Sequence, residues 1–223
     1  MIGIEVLSFG APYTLSMVVT ISNEYGAGAL AIAARAAAEL GYEYVDGQLP
    51  VVVAKRLSIS PEEVEANEDT GRTLGERLLA SLERATPELA ASSPVPPFDR
   101  ELLNAVQEAV REYAAHGNVV IIGRGAGVIL GPRPGILRIF MHAPREWRIA
   151  HVMAAYGTDR KVTEAEVDAV DRMRTAYLHD WYGAKFGDPG NYDLCIDMAR
   201  LDEAQGAALI VAAVRIHGGS DAR

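Results

Sequence analysis

Apolar residues in this chain fall into two patterns. Short, nearly unbroken runs occur at "MVVTIS" (17–22), "NVVII" (118–122), "ILRIFMHA" (136–143) and "NYDLCID" (191–197). Runs of this kind suit the central strands of a parallel sheet, which are covered on both faces. "GYEYVDG" reads as a shorter strand ending at Asp46. Between the runs, apolar positions recur at helical spacing. The spacing predicts helices over Ala27–Leu40, stopped by Gly41, and from Leu49 to about Arg56. Pro61 starts another short one, with Glu62 and Glu63 in its first turn. Asp99 is the expected cap of an amphipathic helix in which Leu102, Leu103, Val106, Ala109, Val110 and Tyr113 share a face. Pro144 opens a helix to about Tyr156. Thr163 and Glu166 match a capping box for a long helix through "DRMRTAY", and Leu201–Val214 is the last helix.

Strands alternating with helices imply an α/β fold built on a parallel sheet with both faces covered. Ligands of such sheets sit beyond the carboxyl ends of the strands. Those ends carry Ser22–Gly28, Asp46, Gly123–Arg124 and Ala143–Arg145. The 223 residues fit one domain with a helical insertion. We expect that domain over 17–215, with 1–16 as an N-terminal extension and 216–223 as a tail. Ile2–Leu7 as an extra edge strand is the alternative for the extension. Pro87, Pro94, Pro96 and Pro97 mark an irregular connection, and 57–97 is expected to be a mobile insert. A lid and its following helix are expected over about 148–190.

A formal charge of −9 argues against a general nucleic-acid binder, which needs a basic surface. The arginines nevertheless gather between Arg124 and Arg174, which suits a small anionic ligand. No apolar run is long enough to span a membrane, and no basic leader precedes Met17; both point to a cytoplasmic protein. A single cysteine, Cys195, excludes a disulfide framework and is expected in the core. The histidines show no metal-ligand spacing.

Four elements could carry chemistry. After the first strand, Gly26 and Gly28 let backbone N–H groups approach a phosphate at a helix N-terminus. Measured against G-x-x-x-x-G-K-[ST], the lysine position holds Ala29 and the hydroxyl position Leu30. On spacing alone, a tight turn without a ligand is equally open. "IIGRG" presents Arg124 at a strand end, where a guanidinium can grip a phosphate. "APREWRIAH" places Arg145, Glu146, Arg148 and His151 on a helix leaving the sheet, with Arg148 and His151 on one face. "VDRMRTAY" sets Asp171 and Arg174 on one helical face. Each of these has a plain alternative as a solvated surface or an ion pair worth little. Taken together, Arg124, Arg148 and Arg174 are expected to converge on one cleft without carboxylate partners.

The order of these blocks, "VTISNEYGAG", "VVIIGRGAGVIL", "LRIFMHAPREWRI", "VDRMRTAYL" and "NYDLCID", resembles the cytidylate kinase-like family over residues 17–215. The resemblance implies a P-loop kinase fold: a five-stranded parallel sheet flanked by helices, a helical acceptor-side insert and an arginine-bearing lid. It implies ATP and Mg²⁺ as cofactors, with no metal held directly by the protein, and a small-molecule nucleotide as partner. It assigns Ser22, Gly26, Ala27, Gly28 and Ala29 to the nucleotide-phosphate loop. Asp46, Arg124, Asp171 and Arg174 match acceptor-binding positions, and Arg145, Arg148 and His151 fall in the lid. Arg124, Arg148 and Arg174 are the expected catalytic cations.

The chain departs from the pattern of true cytidylate kinases. Ala29 replaces lysine, Gly125 replaces the aspartate of Gly-Arg-Asp, and His151 stands where a second lid arginine is usual. Leu30 replaces an arginine common in the kinase-like family. Phosphoryl transfer depends on positioning and charge neutralisation. Two readings therefore follow: an ATP-dependent phosphotransferase acting on a nucleoside monophosphate or similar small phosphate acceptor, and a non-catalytic nucleotide-binding sensor or interaction module on the same fold.

Overall fold

A computed structural model describes residues 16–46 and 97–220. Its elements are strands β1 (Val18–Asn23), β2 (Glu43–Val45), β3 (Val119–Ile122), β4 (Ile136–His142) and β5 (Leu194–Asp197). The helices are α1 (Ala29–Leu40), α2 (Pro97–His116), α3 (Ala126–Leu130), α4 (Arg145–Tyr156), α5 (Arg160–Tyr182) and α6 (Glu203–Ser220). The extension before Ser16, the helices expected at 49–56 and from Pro61, and the insert as far as Pro96 lie outside the described residues.

The strands form one five-stranded sheet in the order β2-β3-β1-β4-β5, with every pairing parallel. β1 lies at the centre, so the run "VVTISN" has strands on both sides and helices on both faces. Val18 faces Val119 on one neighbour and Ile136 on the other. Alternate side chains go to opposite faces. Val19, Ile21, Leu137, Ile139, Met141 and Ile196 pack with Ile32, Ala33 and Ala36 of α1 and Ala207, Ile210 and Val214 of α6. Small alanines bring α1 close to the sheet and to α6. The opposite face carries Val18, Val45, Val119, Ile121 and Ile136, packed with Ala105, Ala109 and Val110 of α2 and Ala126 and Leu130 of α3.

The chain leaves β1 for β2 and β3 on one side and returns to β4 and β5 on the other. The strand order thus reverses beside β1, the place where open α/β sheets leave a crevice for ligands.

Several boundaries differ from the sequence reading. Asp99 lies inside α2, whose first residue is Pro97. Proline is compatible with a first turn because its missing N–H has no intrahelical partner there. α5 begins at Arg160, capped by Asp159, whose side chain accepts from the Val162 N–H. The expected cap Thr163 is instead fully buried inside the first turns, its hydroxyl donating to the Asp159 carbonyl at 2.8 Å. α6 continues past Val214 to Ser220, through part of the expected tail. Cys195 is exposed rather than in the core. It sits on the edge strand opposite Phe140, on the face that α6 does not cover.

Candidate functional site

The loop between β1 and α1 is built by two left-handed glycines, Gly26 at φ 81° and Gly28 at φ 74°. A side chain at Gly26 would place its Cβ 2.8 Å from Val152 Cγ2 and 3.0 Å from the Arg148 carbonyl oxygen, so α4 presses directly on the loop. Gly28 is the N-cap of α1 and supplies no side-chain acceptor to the first-turn amides. Such an end is a general site for an anion. Ala27 and Ala29 are buried and offer backbone alone, while Leu30 is 49% exposed. β1 runs through Asn23, so Ser22 belongs to the strand and the loop proper is 24–28.

Arg148 is 5% exposed, the one buried charged side chain among the described residues. Its Nε donates to the Ala143 carbonyl at 3.0 Å, and its Nη1 to the Tyr25 carbonyl at 2.9 Å and to Asp171 Oδ2 at 2.6 Å. Glu24 Oε2 lies 3.3 Å from its Nε and also accepts from the Ala143 N–H at 3.1 Å. The other Asp171 oxygen accepts from the Tyr25 N–H at 2.9 Å, and the Tyr25 hydroxyl donates to Glu166 at 2.7 Å. Arg174 Nη1 reaches the Asn23 carbonyl at 2.5 Å. The loop is therefore held by Arg148 from α4 and by Glu166, Asp171 and Arg174 from α5.

This geometry corrects the expectation of unpartnered arginines. Arg148 is neutralised by Glu24 and Asp171, and its Nε and Nη1 donors are spent on the protein. Arg145 is likewise committed: it makes a two-pronged pair with Asp168 at 2.8 Å per bond. The hydrogen bonds from Arg145 hold the Asp168 carboxyl below its usual range. Glu146, next in sequence, pairs with Arg160, closing an exposed network between α4 and α5.

At the end of β3, Gly123, Arg124 and Gly125 all have positive φ, at 74°, 56° and 69°. A left-handed arginine is costly, by about 1 kcal/mol or more. The turn is stabilised from α5: the Tyr177 hydroxyl donates to the Arg124 carbonyl at 3.4 Å. Burial pushes the Tyr177 hydroxyl pKa well up, so it stays a donor. A Cβ at Gly125 would lie 3.2 Å from the Tyr182 ring and 3.4 Å from Leu178 and Tyr177. An aspartate there would be strained by the positive φ and would press on Tyr182. Asp46 directly follows β2, on the far side of β3 from β1.

Sequence reading missed Glu24, Tyr25 and Tyr177, and gave Glu166 only a capping role. Glu24 and Tyr25 were visible as polar residues inside a glycine loop. Their partners on α5 were not, because nothing local marks a contact across so much chain. Trp147 was also missed: it stacks on His151 at 4.8 Å and 10°, one helical turn apart.

The residues fit a phosphate better than a metal. The uncapped end of α1 and the glycines that let it be approached suit a phosphate. Among the described residues no three acidic, histidine or cysteine side chains gather as metal ligands, and Leu30 gives no hydroxyl to a cation. No helix among them is long and apolar enough to cross a membrane.

The fold is shared with shikimate kinase from Bacteroides thetaiotaomicron, at a TM-score of 0.50 and 12% identity over 89% of this chain and 98% of that one. Cytidylate kinase from Methanopyrus kandleri is 24% identical over 212 residues, covering 91% of this chain and 95% of that protein. Uronate isomerase from Corynebacterium glutamicum is 30% identical over 112 residues, half of this chain but only 20% of that protein's length. Residues 18–200 match the model of the cytidylate kinase-like family, and the chain belongs to that family.

Proposed function

We propose that the chain binds ATP with its phosphates over the N-terminus of α1, at Gly26–Ala29, and transfers a phosphoryl group to a nucleoside monophosphate or a similar small phosphate acceptor. The acceptor lies toward Asp46, Arg124 and Arg174. One observation carries the reading: an uncapped helix end, reached through two glycines, stands at the reversal of strand order and is gripped by α4 and α5.

Mg²⁺ bound with the nucleotide would neutralise charge on its oxygens; Leu30 offers it no hydroxyl, and the loop carboxylate of Glu24 is paired with Arg148. Arg124 and Arg174 neutralise the acceptor phosphate. Arg148 acts as a positioning residue: its hydrogen bonds fix the loop backbone, so the amides keep one geometry. No strong base is required, since the acceptor phosphate is already a nucleophile.

The second reading, a nucleotide-binding module without turnover, is favoured by a specific observation. Ala29 is buried, Leu30 is apolar, and the best-placed arginine is already neutralised. Thermal shift across nucleoside mono- and triphosphates with Mg²⁺, paired with a product assay, separates the two readings. A triphosphate that raises the melting temperature and is consumed only with one monophosphate supports the kinase. A rise without product supports the module. No shift with any triphosphate up to millimolar concentration ends both.

A further inference from the structure

His151 stands at a position the resemblance gives to a lid arginine, yet its side chain does not reach outward. A Cβ built on Gly28 would lie 3.5 Å from His151 Nε2 and 3.9 Å from Cε1. The polar edge of the ring therefore faces the N-cap of α1. Its plane is fixed from the other side by Trp147, stacked nearly parallel at 4.8 Å. The backbone of α4 sets the approach, because Arg148 and Val152 already touch Gly26 on the same helical face. Among the described residues no group hydrogen-bonds the His151 ring. Arg148, also on α4 at the loop, has its Nε and Nη1 committed to Asp171 and two carbonyls, with Glu24 beside them.

We infer that the Nε2–H of His151 is the side-chain donor to the nucleotide phosphate at the start of α1, in place of the group that position 29 lacks. This rests on the nucleotide reading above. A rigid imidazole suits the task. As the Nε2–H tautomer it presents one directional donor toward the loop, and stacking on Trp147 removes the rotamer freedom that a lysine would have to lose. The departures at Ala29 and His151 then belong together: the loop gave up a cation from α1 and took a donor from α4.

Calorimetric titration of the full chain and three variants with ADP and with tripolyphosphate tests this. Tripolyphosphate isolates the phosphate contact from any contact to the base. His151→Phe keeps a ring for Trp147 and loses the donor; affinity for both ligands is expected to fall about tenfold, as for one hydrogen bond to a charged group. His151→Ala is expected to fall as far. His151→Lys, which cannot stack but restores a donor, is expected to recover most of the loss. If the ring matters only for packing, the order reverses: Phe binds like the parent, Lys like Ala, and the inference is overturned. Equal affinity in all four proteins also overturns it while leaving the nucleotide reading intact. Failure of the parent itself to bind either ligand at millimolar concentration overturns both.

Discussion

Arg148 is only 5% exposed, with Glu24, Asp171 and the carbonyls of Ala143 and Tyr25 around it. Removing one partner of a buried pair leaves the rest uncompensated, typically at about 3–5 kcal/mol. Arg148→Met is therefore expected to destabilise the protein by that amount, read from urea denaturation at constant m. Arg148→Lys is expected to recover little, since a point charge cannot span three directions. A loss below about 1 kcal/mol for Met would show that the network contributes no more than exposed pairs do. Arg174→Ala is a different case. It loses a hydrogen bond to the Asn23 carbonyl, so a cost of about 1 kcal/mol replaces the neutral or favourable effect expected from arginines repelling one another. At this scale the sequence showed which residues are chemical but not whom they face. Asp171 and Arg174 share a helical face as their spacing requires, yet one accepts from the loop and the other donates to it. Glycine positions were more legible: Gly26 and Gly28 had only to be where a backbone turns left-handed under a packed helix.

Whole elements were read more successfully than their ends. Each apolar run became a strand and each periodic stretch among the described residues a helix. Starts depend on a single cap, and two capping candidates close together compete. Asp159 lies before α5 in extended conformation and bonds the Val162 N–H at 3.1 Å, whereas Thr163 is buried and bonds backward. Asp159→Ala is expected to cost about 1 kcal/mol, and Thr158→Ala, which removes only its 2.8 Å hydroxyl contact with Thr163, less; equal losses in thermal unfolding would show that the hydroxyl contact matters as much as the cap. The edge strand shows the other limit. "DLCID" is apolar enough for a core strand, but β5 has only one strand neighbour, and the face carrying Cys195 is exposed. What fixes β5 is partly ionic: Asp193 takes both side-chain prongs of Arg138 at 3.0 and 2.7 Å and the Arg138 N–H at 2.9 Å. Burial alone would raise the Asp193 carboxyl pKa; the bonds from Arg138 outweigh it and hold the group below its usual range. A depressed carboxylate contributes stability that is present above the unfolded pKa, about 4, and is lost as pH falls through the folded value. Asp193→Asn is thus expected to cost about 1–2 kcal/mol at neutral pH. The gap from the parent should close below about pH 4. A gap independent of pH would assign the cost to packing.

Across the molecule, the loop between β1 and α1 is not an isolated turn but the point where three layers meet. β1 delivers it from the centre of the sheet, α1 carries its N-terminal amides into one core, and α4 and α5 lock it from above. The parallel sheet was legible because each run lacks a wet face; strand order was not, because order depends on crossovers that leave no local mark. The consequence is mechanical. Asp171 holds the Tyr25 N–H and Arg148 together, and Glu166 holds the Tyr25 hydroxyl, so the loop cannot shift without α5. A phosphate ligand that draws the loop amides toward itself must either be accommodated by this clamp or strain it. Amide hydrogen exchange with and without ADP reads the difference. Protection is expected to change along 166–174 of α5 as well as at the start of α1, although the two segments are distant in sequence. In Asp171→Asn, one oxygen remains to accept from Tyr25 but the charge facing Arg148 is gone. The α5 response is then expected to shrink while the α1 response persists. Protection confined to the α1 end in the parent would mean that the contacts from α5 are passive and that ligand binding stops at the loop.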